Sequence, residues 1–90
     1  MLDAAIRVSN RLGLHARAAA KLVRLANTFR CSVTIDRRDT GVNADAKDIL
    51  SVLQLAAGHG VQIRIVADGV DEQDALDQIT KLVADKFGED

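Results

Sequence analysis

Apolar and polar residues alternate at the start of the chain: Leu2, Ala4, Ile6 and Val8 are set against Asp3, Arg7 and Ser9. A period of two predicts a strand with one buried face. The period then lengthens. Ala19, Leu22, Val23, Ala26 and Phe29 recur at helical spacing, with Arg17, Lys21 and Arg24 between them. This predicts an amphipathic helix that begins near His15 or Ala16. Alternation returns at Cys31, Val33 and Ile35 and predicts a second strand. Asp36 to Gly41 reads as a turn, with a short third strand over Thr40 to Asn43. A short helix follows from about Asp48 to Ala56, ended by Gly58-His59-Gly60. Val61, Ile63 and Ile65 form the strongest strand signal, and Asp68-Gly69 turns the chain. The last helix is expected to start near Asp71, an acceptable N-cap. Its stripe is Ala75, Leu76, Ile79, Leu82, Val83 and Phe87, with Gly88 placed to stop it.

The predicted order is therefore βαββαβα. Alternating strands imply a sheet with one solvated face, and the helices must cover the other. The fold class is two-layer α+β with an antiparallel sheet. With 90 residues, the chain is expected to be one domain over 1–90. Its 48% apolar and 28% charged residues give the balance of a globular protein rather than a disordered tail.

Charge narrows the functions. Twelve Lys and Arg against 13 Asp and Glu leave a formal net charge of −1. That gives no basic excess for nucleic-acid binding, and the chain has no Tyr or Trp on which bases could stack. No apolar run approaches the ~18 residues of a membrane span, and Met1-Leu2-Asp3 lacks a basic signal-peptide start. A cytoplasmic protein without membrane insertion is expected. One cysteine, Cys31, and two histidines, His15 and His59, make a poor zinc set, so no metal and no cofactor are expected.

The informative segment is Gly13-Leu14-His15-Ala16-Arg17-Ala18-Ala19-Ala20. Here a histidine sits where a loop enters a helix. First-turn N–H groups lack intrahelical partners and carry the positive end of the helix dipole, so such a site favours anions, phosphate above all. His15 would place a nucleophilic imidazole there, and Arg17 a guanidinium suited to phosphate oxygens. Gly13 would allow the loop conformation and close approach by a partner. The bland alternative is an ordinary surface histidine near a helix start. Ile49 to Ala56 carries a surplus of apolar residues for a short helix. Ile49, Val52 and Ala56, with or without Leu55, can supply one stripe, leaving Leu50 and Leu53 toward another face. That surplus is either a docking patch or burial on both faces. His59 reads as a solvated turn residue and Cys31 as a small core hydrophobe. Asp68, Asp71, Asp74 and Asp77 read as helix-start acids rather than a metal cluster.

The stretch Gly-Leu-His-Ala-Arg-x-Ala-Ala-Lys-Leu-Val, residues 13–23, resembles the HPr family of histidine-containing phosphocarriers of the phosphoenolpyruvate-dependent phosphotransferase system. The likeness runs over about residues 2 to 88. Val42-Asn43, Lys47-Asp48-Ile49-Leu50 and Asp68-Gly69 fall in family order. The resemblance implies an HPr-like open-faced sandwich: a four-stranded antiparallel sheet in the order 1-4-2-3, with three helices on one face. It implies a carrier rather than an enzyme. His15 would take a phosphoryl group on Nδ1 from phospho-enzyme I and pass it to IIA-type domains, with Arg17 steadying the phosphoryl oxygens. The family's docking surface maps onto Ala20, Arg24, Asn27, Ile49, Leu50 and Leu53. A monomer is expected. Three positions depart from the family. Ala18 stands where proline is usual, the chain is longer by two residues around Ala44-Asp45, and Asp48 fills the place of a regulatory serine. The rival reading is a ferredoxin-like regulatory or ligand-binding module, which shares the βαββαβ order. Nothing in the residues separates a sugar-uptake role from a nitrogen-linked one.

Overall fold

A computed structural model describes residues 1–89. Four strands, β1 (Leu2–Arg7), β2 (Ser32–Arg37), β3 (Val42–Asp45) and β4 (Gln62–Asp68), alternate with three helices. These are α1 (Ala16–Ala26), α2 (Ile49–Gln54) and α3 (Glu72–Ala84), and a short 3-10 turn, Lys86–Gly88, follows. The sheet is antiparallel throughout in the order β1-β4-β2-β3. Ile63 and Ile65 on the central β4 pair with Ile6 and Ala4 on one side. On the other side they pair with Arg37 and Ile35. The inward set of Val33, Ile35, Ala44, Ile63, Ile65 and Ala67 is buried beneath the helices, together with Leu22, Val52, Ile79 and Val83. The opposite face is polar: Arg64 pairs with Asp3 at 2.6 Å and with Asp36 at 3.4 Å. Period-two alternation thus becomes one dry and one wet face.

Element ends differ from the sequence expectations. α1 stops at Ala26 with Asn27 as C-cap. Phe29 lies beyond the helix yet is still largely buried. β2 runs on to Arg37, and β3 begins at Val42 rather than Thr40. Ala44 and Asp45 take regular ladder places opposite Ile35 and Thr34, so no bulge lies there. α2 ends at Gln54, and Ala56 adopts a left-handed φ of 51° and is exposed. The buried stripe of α2 is therefore completed by Leu55, not Ala56. Arg37, on the helix side of the sheet, donates from Nη1 to the carbonyls of Leu55 and Ala56 at 3.0 and 2.8 Å. It thereby satisfies acceptors that the end of a helix leaves open.

α3 ends at Ala84, three residues before Phe87. Lys86 and Phe87 both take left-handed φ values, 57° and 56°, which turn the chain back and bury the Phe87 ring completely. At the other end of α3, Asp71 is the N-cap by position but its side chain caps nothing. Its carboxylate instead accepts the backbone N–H groups of Arg30 and Cys31, each at 2.8 Å, and so ties the start of α3 to the start of β2.

A histidine at the entrance of α1

His15 is the N-cap of α1, with extended backbone angles (φ −75°, ψ 179°). The loop that delivers it is fixed from below. Leu14 N–H donates to Ala57 O at 2.8 Å. Gly13 has φ +69°, and a Cβ there would stand 2.6 Å from Gly58 Cα. Glycine is thus needed for close approach to the chain's own α2–β4 loop, a correction to the expectation that the approach was for a partner.

The ring is half-buried, with its side chain 25% exposed. Arg17 N–H, at the positive end of α1, faces Nδ1 at 3.3 Å. Nε2 lies 2.8 Å from Glu89 Oε1. An ionised carboxylate only accepts, so Nε2 carries the proton and Nδ1 the lone pair, which accepts from Arg17 N–H. Arg17 is exposed and reaches Glu89 Oε2 through Nε at 3.2 Å. Asn10, fully buried, donates from Nδ2 to Glu89 Oε1 at 3.0 Å and to Gly13 O at 2.8 Å. The His15 and Asn10 donors hold the Glu89 carboxyl far below its ordinary range, at about 2. Neither Glu89 nor Asn10 is among the residues that the sequence singled out, and Glu89 covers one of the two ring nitrogens, Nε2.

The other candidate residues fall on the same side of the molecule as two packed helices. α1 carries Ala20, half-buried, and Arg24, exposed, while α2 carries Leu50, which is 68% exposed, with Ile49 and Leu53 half-buried. α1 and α2 are in contact, and two bonds stitch them together. Asn27 Nδ2 donates to Lys47 O at 3.1 Å, and Lys47 Nζ donates to Phe29 O at 2.9 Å. Asn27 is therefore at least partly structural. Asp48 caps α2 by accepting Leu50 N–H at 3.1 Å. Ala18 is wholly buried in the first turn of α1. Among the described residues no three His, Cys, Asp or Glu side chains cluster as metal ligands, and no helix is long and apolar enough to cross a membrane. His59 is exposed in a turn and Cys31 is buried.

The family described as PTS HPr component phosphorylation site matches residues 2–85. The chain belongs to the HPr family. Its relatives include the phosphocarrier protein HPr of Cupriavidus necator, 46% identical over 99% of this chain and 98% of the relative. The phosphocarrier protein NPr of Proteus mirabilis is 44% identical over 94% of this chain and 93% of the relative. The crystal structure of an HPr from Thermoanaerobacter tengcongensis superposes with a TM-score of 0.94 at 31% identity, covering 100% of this chain and 99% of that one. The family is that of the phosphocarriers of the phosphotransferase system, which leaves the ferredoxin-like alternative without support.

Proposed function

We propose that this chain, acting as one HPr-like domain over residues 1–90, accepts a phosphoryl group on His15 Nδ1 from phospho-enzyme I. It then hands the group to IIA-type domains in the cytoplasm. The observation that carries the reading is the placement of Nδ1 against the first-turn N–H of Arg17. A phosphoryl group formed on Nδ1 lies at the positive end of α1, where unpartnered N–H groups can receive its oxygens. Arg17 adds a charge-assisted donor. The protein is a substrate of its partners rather than a catalyst. Phosphoryl transfer asks little of the carrier beyond position and charge. Docking uses the joined faces of α1 and α2: Ala20, Arg24, Asn27, Ile49, Leu50 and Leu53. A large exposed apolar side chain such as Leu50, ringed by half-buried ones, suits a transient interface.

Incubation with enzyme I and labelled phosphoenolpyruvate tests this. Wild type takes up label as an acid-labile, base-stable phosphoramidate, and His15→Ala takes up none. Label retained in His15→Ala refutes the assignment.

A further inference from the structure

Arg37 ends β2 and reaches across to the exit of α2. Its side chain is only 19% exposed. Nε and Nη2 donate to the two carboxylate oxygens of Asp39, at 2.7 and 3.1 Å. A fork of this kind fixes the plane of a guanidinium, and here it aims Nη1 at the carbonyls of Leu55 and Ala56, 3.0 and 2.8 Å away. Among the described residues no backbone N–H reaches either carbonyl. Ala56 has φ 51°, a left-handed conformation that alanine takes only where its surroundings enforce it. The next residue, Ala57, is buried, and its carbonyl accepts Leu14 N–H at 2.8 Å. Leu14 immediately precedes His15. A continuous path of hydrogen bonds and adjoining peptides thus runs from Asp39 through Arg37, Ala56, Ala57 and Leu14 to His15.

We propose that Arg37, aimed by Asp39, is a positioning residue for phosphoryl transfer at His15: by gripping the carbonyls at the exit of α2 it sets the Ala57 carbonyl that holds Leu14, and with it the height of the His15 ring over the start of α1. This rests on the reading of His15 as the acceptor. The α2–β4 loop is tied at both ends. At its β4 end, Gly60 N–H donates to Val8 O at 2.7 Å and Val8 N–H donates to Val61 O at 2.9 Å. At its α2 end, the Arg37 guanidinium supplies the hold. Without it the left-handed turn at Ala56 is free to relax, and the Ala57 carbonyl moves with it. Arg37 bonds to neither the ring nor Arg17, so it acts through the backbone. Attack by Nδ1 depends on near-attack geometry, and a nucleophile slightly out of place loses rate steeply. Docking is affected less, because Leu50 and the Asp48 cap lie at the opposite end of α2.

The test uses the full chain with Arg37→Met, Arg37→Lys and Asp39→Asn. Methionine keeps the apolar stem without donors, and lysine keeps the charge without the fork. Asp39 is exposed in the β2–β3 turn, so Asp39→Asn should fold as wild type does. In Arg37→Met the Leu14 amide should exchange with solvent about tenfold faster, the scale of one lost hydrogen bond to a charged group. That gain should exceed any in the β1–β4 ladder. The maximal rate of labelling by enzyme I should fall about fivefold, with the enzyme I concentration giving half-maximal rate unchanged. Arg37→Lys and Asp39→Asn should lie between wild type and Arg37→Met in both measurements, and they carry the test if Arg37→Met does not fold. A purely structural role would speed all protected amides together and lower the melting temperature, leaving the maximal rate of the folded variants untouched. That pattern overturns the proposal, as does wild-type exchange and labelling in all three variants. If wild type takes no label at all, the acceptor reading fails separately. Leu14 exchange then still decides whether Arg37 holds the loop: a selective gain in the variants supports the hold and unchanged exchange refutes it.

Discussion

His15 was legible in the sequence because its chemistry depends on local order: a glycine, a histidine, then a helix. Glu89 was not, because its contact spans 74 positions and no period or motif connects the two residues. Asn10 was hidden for the same reason, since nothing local says that a polar residue after a strand will be wholly buried. Gly13 shows a partial reading. Its need for freedom was visible, but not what crowds it. Gly13→Ala sets a Cβ 2.6 Å from Gly58 Cα and 2.7 Å from Ala57 O, both backbone. It also forces alanine to φ +69°, which alone costs roughly 1–2 kcal/mol. The two effects together should cost about 3 kcal/mol. In a domain of this size that lowers Tm by at least about 10 °C. Because the loop delivers His15, labelling by enzyme I should also slow at temperatures where the variant is still folded. Calorimetry and the labelling assay check the two parts, and an unchanged Tm would show that the α2–β4 loop yields easily.

Elements were read correctly in type and order, and their errors lie at helix ends. All three helices stop earlier than their apolar stripes: at Ala26, Gln54 and Ala84. The stripe continues because Phe29, Leu55 and Phe87 are still buried after the backbone has left the helix. Two exits run through left-handed residues that are not glycine, namely Ala56, and Lys86 with Phe87, so the usual glycine signal is missing. The start of α2 is clearer. Asp48 caps it through Leu50 N–H, and serine at that position would cap almost as well. Asp48→Ala should therefore cost about 1 kcal/mol of stability, while Asp48→Ser should be close to neutral by thermal melting. Aspartate has no hydroxyl to phosphorylate, so serine-kinase regulation at this position should be absent. Its fixed charge beside Ile49 and Leu50 should act as a weak brake on docking, less than a phosphoserine would. Asp48→Ser should thus label modestly faster at low salt, with the gain shrinking as salt screens the charge. A marked slowing would instead make Asp48 an attractive part of the interface.

At the scale of the whole molecule, ionised carboxylates tie both the first strand and the last described residues to the rest of the fold. The Met1 ammonium lies 3.0 Å from Glu72 at the start of α3, and Glu89 lies on His15 and Arg17. Asp71 joins α3 to β2. The backbone N–H groups of Arg30 and then Cys31 lower its pKa. Gly69 N–H, then the Met1 ammonium, lower that of Glu72. Glu89 falls furthest, from 4.5 to about 2. A carboxyl whose pKa is lower folded than unfolded contributes stability above the unfolded value and loses it as pH falls through the folded one. For Glu89 that window runs from about 4.5 down to about 2. The Met1 ammonium has the opposite sign, because its raised pKa gives stability that is lost as pH rises past 8.0. Met1 is exposed, so solvent screening keeps that effect small. Stability should therefore be flat from pH 5 to 8 and fall steeply below about 4.5, as these ties are protonated. Urea midpoints measured at steps from pH 7 to pH 2.5 give the curve. Glu89→Gln should be less stable at pH 7 and should lose less on acidification, so that its curve and that of wild type converge toward pH 2. Parallel curves would mean that Glu89 is not held by His15 and Asn10 in solution, and acid sensitivity would then rest on Asp71, Glu72 and Asp39, whose carboxyl the Arg37 guanidinium holds low.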